Sequence, residues 1–218
     1  MPVVPVYDAV ILAGGRSSRL GGSPKALLRT GGRTLLETTL DAVAGARRVA
    51  VVGPGSLLPL LEDASRETVL VREEPVFGGP AAAVAAGLEA LPASGDWTLV
   101  LACDMPRIAS AAGVLLDAAV SDDSDGDSTL LALDADGRSQ PLAGLYRTAD
   151  LRQAVLGHAP GGLTNMSMKA LLARVQWRGV DVPPMSTADV DTWADARILG
   201  VSTEGTALTA PSSEAKEH

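Results

Sequence analysis

The 218-residue chain has one cysteine, Cys103, and two histidines, His158 and His218. A single thiol excludes an internal disulfide and any metal site built from several cysteines. It also suits a reducing compartment, so a cytoplasmic protein is expected. His158 lies in the loop GHAPGG and His218 is the last residue, so chemistry driven by a histidine base is not expected. Aromatic residues make up 3% of the chain; the core must therefore be built from Leu, Val and Ala. Long apolar runs are missing too. The best, VVPVYDAVILAGG, is interrupted by Asp8 and the glycines, so no bilayer-spanning segment is expected. The start of the chain lacks the charged region and cleavage pattern of a secretory leader. An excess of positive charge is also absent. The formal net charge of -8 argues against nucleic acid or a membrane surface as partner.

What is present is ample apolar material, 46% of residues with 20% charged, enough to bury a proper core. Short apolar runs alternate with amphipathic ones. DAVILAG (8–14), RRVAVVG (47–53), ETVLVRE (67–73) and DWTLVLACDMP (96–106) read as strands. Segments 33–46, 79–92 and 109–120 read as helices, the first with Thr34 as N-cap and the second with Pro80 in its first turn. Residues 128–147 read as two strands joined at Asp136–Gly137. Short helices follow near 149–156 and 165–174, then a strand near 175–181 and a helix from Thr192. Such alternation predicts an α/β fold, a single Rossmann-like domain over 1–202. Its central sheet should be mostly parallel, with helices on both faces and an antiparallel edge. SDDSDGDS (121–128) reads as a solvated acidic loop, and residues 203–218 as a disordered tail. In such sheets ligands bind beyond the carboxyl ends of the strands.

The stretch after the first strand stands out. Between Asp8 and Glu37 there is no carboxylate, yet Gly14, Gly15, Arg16, Arg19, Gly21, Gly22, Lys25 and Arg29 all fall there. Exposed amides of a glycine turn form an anion-binding nest, and three cations along one loop suit a polyphosphate. A solvated basic loop is the plainer alternative. The pattern is neither GxxxxGK[ST], since Ala26 follows Lys25, nor GxGxxG, since Gly14 and Gly15 are adjacent. Asp104 ends the most apolar strand. A carboxylate there can hold Mg²⁺, a hard cation with oxygen ligands, or can cap the next helix. Cys103 beside it is expected to be packing.

LAGGRSSRLGGSPKALL resembles the signature L-A-G-G-x-x-x-R-M/L-G-x-x-K of nucleotidyltransferases that build nucleoside-diphosphate conjugates. Gly21–Gly22 and the spacing to Lys25 are most similar to the molybdenum cofactor guanylyltransferase family. That resemblance implies transfer of GMP from GTP to molybdopterin with release of pyrophosphate. It also implies Mg²⁺ as cofactor and small-molecule substrates rather than nucleic acid or membrane. A monomer is compatible with it, as is contact with molybdenum cofactor biosynthesis or acceptor proteins. LACDMP matches the family's metal-binding aspartate, giving Asp104 that role. REEPVFGGP matches an acidic residue followed by Gly-Pro at a helix start, giving Glu74, with Glu73 as the alternative register, and Gly79 and Pro80. Leu12, Ala13, Gly14, Gly15, Arg16 and Lys25, with Gly53 through its backbone, are the remaining nucleotide-side residues implied. Arg19, Lys25 and Asp104 are the implied catalytic set. STADVDTWADARILG is similar to the family's closing segment, placing Asp189 and Asp191 on the acceptor side or at a second metal, unless Asp191 only caps the last helix.

The resemblance implies in-line attack on the α-phosphorus by an acceptor phosphate that is already ionised, which needs positioning and charge neutralisation rather than a base. Pro24 before Lys25 is shared with related cytidylyltransferases. These and sugar-nucleotide enzymes therefore remain alternatives, as does a nucleotide-binding protein without catalysis.

Overall fold

The computed structural model describes residues 5–15, 17–61, 67–92, 95–121, 128–159 and 161–203. Arg16, most of the acidic loop at 121–128 and the tail from 204 fall outside these residues. Fifteen elements position the site. In chain order they are β1 (Tyr7–Leu12), β2 (Arg29–Thr30), β3 (Arg33–Thr34), α1 (Leu35–Ala42), β4 (Arg48–Val52) and β5 (Glu67–Val71). Then come α2 (Pro80–Ala90), β6 (Trp97–Ala102), α3 (Ile108–Val120), β7 (Thr129–Leu133) and β8 (Ser139–Arg147). The last are α4 (Thr148–Leu156), α5 (Met168–Leu171), β9 (Trp177–Asp181) and α6 (Trp193–Leu199).

Seven strands form one sheet in the order β5-β4-β1-β6-β8-β7-β9. β1 pairs in parallel with β4 and β6, and β4 with β5. β8 runs antiparallel to both β6 and β7, so it alone opposes the other strands of the sheet, and β9 lies parallel to β7. The expected mostly parallel sheet is therefore present. The antiparallel strand β8 lies two strands in from the edge, because β7 and β9 close the sheet outside it. β2 and β3 form a separate small hairpin.

Every residue of β1 and β6 is buried, as a parallel strand covered on both faces requires. Side chains alternate between the two faces. Ile11, Val49, Val51, Leu99 and Leu101 meet Leu36 and Leu40 of α1 and Ile108 and Leu115 of α3. Val10, Leu12, Ala50, Val52 and Val100 meet Val84 and Leu88 of α2 and Met168 and Leu171 of α5. The alanine-rich α2 comes very close to the sheet, since a Cβ at Gly87 would sit 2.5 Å from Val10 Cγ1. α1 starts where its capping box dictates: the Thr34 side chain accepts from the Glu37 amide, and Glu37 returns the contact to the Thr34 N–H. Asp8, buried in β1 at the end of the sheet away from the loop, is paired with Arg47 through Nε at 3.2 Å and Nη2 at 2.8 Å.

A third cluster fixes the end of the described chain onto its beginning. Val190, Ala196, Leu199 and Val201 pack on Leu20, Leu28 and Leu35. Two backbone bonds join Arg29 and Ser202, at 2.8 and 2.9 Å.

Candidate active site

β1 ends as the chain crosses the sheet edge. The Ala13 N–H bonds Val52 and the Cys103 N–H bonds Leu12, which leaves Gly14 and Gly15 projecting beyond the strand ends, both exposed. The loop then makes two short 3₁₀ turns, Ser18–Leu20 and Lys25–Leu27. Leu20, Ala26 and Leu28 are buried at 1, 1 and 2% exposure. These three anchors hold the loop against the fold and turn Lys25 inward between them.

Lys25 Nζ donates to Asp104 Oδ2 at 2.8 Å and to Asp191 Oδ1 at 2.6 Å. Asp104 follows β6. Asp191 comes from the β9–α6 connection, which is tied to the same strand end by the Val190 N–H bonded to the Asp104 carbonyl at 2.9 Å. Arg19 reaches Asp191 Oδ2 at 3.5 Å from a largely exposed position. Burial pulls the Lys25 ammonium down, but the charges and hydrogen bonds of Asp104 and Asp191 outweigh it, so its pKa is raised overall. Asp189 is pushed up, chiefly by desolvation of its carboxyl and then by the charges of Asp104 and Asp191. Oxygens of Asp104, Asp189 and Asp191 lie within 4.8 Å of one another. This is an all-oxygen, hard-donor set of the kind Mg²⁺ takes. Burial first, and the Asp104 charge second, drive the Cys103 thiol far above its ordinary range, so it is no nucleophile here.

The site opens into a cavity of about 840 Å³ that runs across the strand ends. Gly14, Gly15, Glu73, Phe77 and Pro80 line it together with Lys25 and Asp104, and so do Asp134, Gln140, Met168, Lys169, Met185, Thr187 and Asp189. Of the residues expected on the nucleotide side, Leu12, Gly14, Gly15, Lys25, Gly79, Pro80 and Asp104 line the cavity. Ala13 is buried behind it at 7% exposure. Gly53 also lies behind it: its N–H bonds the Val71 carbonyl at 2.9 Å, and a Cβ there would meet Leu57 Cδ1 at 2.9 Å. Its N–H is thus committed to the fold, and the residue does not line the cavity.

The two registers offered after β5 differ in their placement. Glu74 is exposed and does not line the cavity, whereas Glu73 does, buried at 8% exposure. Glu73 Oε1 accepts the Phe77 N–H at 3.1 Å, and the same carboxylate faces Gly14. Gly79 has φ 91°, and a Cβ on it would lie 3.3 Å from the Asn165 Cα; glycine lets the start of α2 accept the 161–167 loop. Asp191 does not cap α6. That cap is Thr192, whose side chain accepts from the Asp195 amide.

Asp189, expected on the acceptor side, lines the cavity, whereas Asp134, Gln140, Lys169 and Met185 were not singled out from the sequence. Applying the strand-end rule to β7 would have found Asp134. Its Oδ1 accepts the Asp136 and Arg138 N–H groups and its Oδ2 accepts Gln140 Nε2, each at 2.9 Å. The Arg138 amide bond is the main reason its carboxyl sits below the usual range. Lys169 and Met185 carried no local signal.

A glycine turn, an inward lysine and a carboxylate cluster at the heads of parallel strands define a protein that handles an anionic, nucleotide-like ligand. Residues 9–176 match the model of the MobA-like NTP transferase domain, and the chain belongs to that family. It is similar to the probable molybdenum cofactor guanylyltransferase of Bacillus cereus (strain AH187), 29% identical over 142 residues, covering 64% of this chain and 68% of that protein. The molybdenum cofactor guanylyltransferase of Vibrio vulnificus (strain YJ016) is 33% identical over 144 residues, covering 63% and 66%. The solved 2-C-methyl-D-erythritol 4-phosphate cytidylyltransferase of Thermus thermophilus shares the fold, with TM-score 0.64 and 23% identity over 89% of this chain and 97% of that one. Among the described residues no helix is long and apolar enough to cross a membrane.

Proposed function

We propose that this nucleotidyltransferase-family protein transfers GMP from GTP to molybdopterin, forming molybdopterin guanine dinucleotide and releasing pyrophosphate. The observation that carries the reading is Lys25, bonded to Asp104 at 2.8 Å, with both residues lining one cavity alongside Gly14, Gly15 and Glu73. The guanylyltransferase relatives supply the base and the acceptor.

The nucleotide is assigned to the stretch of the cavity lined by Gly14, Gly15, Glu73 and Pro80, and the acceptor to the stretch lined by Asp134, Gln140 and Asp189. Asp104, with Asp189 and Asp191, would hold Mg²⁺, which would supply charge neutralisation to the phosphates. Gly14 and Gly15 offer exposed backbone to those phosphates. An ionised acceptor phosphate oxygen bonds to the α-phosphorus as the α–β bridging P–O bond breaks, and pyrophosphate leaves with the electron pair. Lys25 and Arg19 stabilise the charge that builds on the transferring and leaving groups. No side chain needs to remove a proton. We assign the activity to residues 1–202 and to the cytoplasm, with 203–218 as a tail.

The test is pyrophosphate release with molybdopterin and Mg²⁺, run separately with GTP, CTP, ATP and UTP. Turnover with GTP supports the reading. Turnover with CTP alone would favour the second reading, a cytidylyltransferase, to which Pro24 before Lys25 and the shared cytidylyltransferase fold point. Nucleotide binding without turnover in any arm would rule out both.

A further inference from the structure

The atoms that hold Lys25 are the same ones the metal reading needs. Its ammonium lies 2.8 Å from Asp104 Oδ2 and 2.6 Å from Asp191 Oδ1. An ion bound to these oxygens at about 2.1 Å would have the ammonium within about 5 Å of it. The side chains of Lys25 and Asp104 are each only 20% exposed, so solvent screens that repulsion weakly. The cation and the ammonium therefore compete for one pair of oxygens.

We propose that Lys25 is a place-holding cation. In the absence of nucleotide it neutralises Asp104 and Asp191 and keeps a divalent metal off them. The incoming triphosphate draws the ammonium onto its own oxygens, and the carboxylates are released to the metal that arrives with it. The site thus loads metal and nucleotide together rather than metal first. The carboxylate cluster need not carry an uncompensated negative charge between turnovers. The proposal rests on the metal-dependent nucleotidyl-transfer reading but not on which base is used.

Arg19 provides the internal control. It lies 3.5 Å from Asp191 with its side chain 72% exposed, so it adds positive charge without standing between the two carboxylates. Mn²⁺ binding to the full chain is measured by titration calorimetry without nucleotide, for the wild type, Lys25→Met and Arg19→Met. Lys25→Met should bind Mn²⁺ at least about tenfold more tightly than the wild type, and Arg19→Met within about threefold of it. The double variant Lys25→Met/Asp104→Asn should lose the gain. Lys25→Gln replaces Lys25→Met if circular dichroism shows the methionine variant misfolded. Equal Mn²⁺ affinity in the wild type and the Lys25 variant overturns the proposal. So does an equal gain in Arg19→Met, or a gain that survives Asp104→Asn. Thermal shift of the wild type with GTP and CTP separates the two failures, because absence of any nucleotide effect sinks the transferase reading whatever Mn²⁺ does.

Discussion

Lys25 and Asp104 stand 79 positions apart in the chain and 2.8 Å apart in space. The contact joins the loop after β1 to the end of β6, its hydrogen-bonded neighbour in the sheet. Parallel neighbours end at the same edge, so a residue just beyond one strand is adjacent to a residue just beyond the next. Asp191, 166 positions from Lys25, completes the bridge from outside the sheet.

Lys25→Ala and Asp104→Ala should each lower pyrophosphate release at least about a hundredfold, the size of losing one charge-stabilising group at a reacting centre. Single-turnover assays on variants with native circular dichroism check this; unchanged turnover in either variant removes that residue from the mechanism.

Glu73 and Glu74 are adjacent in sequence but differ in exposure. Only Glu73 lines the cavity, and glutamine at that position can still accept the Phe77 N–H. Glu73→Gln should therefore raise the KM for nucleotide about tenfold, the value of one hydrogen bond to a charged group. Glu74→Gln should leave KM unchanged. Steady-state kinetics with varied nucleotide distinguish the two, and the reverse pattern would restore Glu74 as the nucleotide-side acid.

Gly87 is the contact point between α2 and the sheet. Its added Cβ would lie 2.5 Å from Val10 Cγ1 and 3.2 Å from Val52 Cγ2, atoms of a buried sheet that have nowhere to go. Gly87→Ala should destabilise by about 1–3 kcal/mol, despite the better helix propensity of alanine. Urea unfolding measures it, and a stabilised variant would mean the helix can move away from the sheet freely.

The α1 cap predicts a pH dependence. The Glu37 carboxyl is held below its ordinary value, chiefly by the Thr34 backbone N–H. A depressed carboxylate contributes stability above its unfolded pKa of about 4.3, and loses it as pH falls through the lower folded value. The stability difference between the wild type and Glu37→Gln should be constant above about pH 5 and shrink toward pH 3. Thr34→Ala should cost about 1 kcal/mol at neutral pH. Urea titrations across that range decide the matter; a gap that does not narrow on acidification would show that Glu37 acts through its shape rather than its charge.

Much of the architecture was legible because it is written in short-range pattern. The continuous apolar runs of β1 and β6, the Thr34 cap and Pro80 in the first turn of α2 each depend on a few neighbouring residues. The loop at 11–28 was legible for the same reason: its glycines and cations are contiguous. Gly53 was carried over from the family resemblance, and sequence does not show that its N–H bonds Val71 or that Leu57 lies against it. Gln140, Lys169 and Met185 were not legible because they come from β8, α5 and the β9–α6 connection, which share no local pattern.

The sequence by itself determined the strands of the seven-stranded sheet, the Thr34 cap of α1 and the cationic turn, though not the β2–β3 hairpin, since hydrophobic periodicity, capping and backbone freedom act over a handful of residues. Only the tertiary structure decided that Glu73 rather than Glu74 lines the cavity, and that Lys25 lies between Asp104 and Asp191. Those outcomes depend on the angle at which the chain leaves β5 and on α6 packing over Leu20 and Leu28. Burial of apolar surface between distant segments sets both, and it pulls the charged groups along with it.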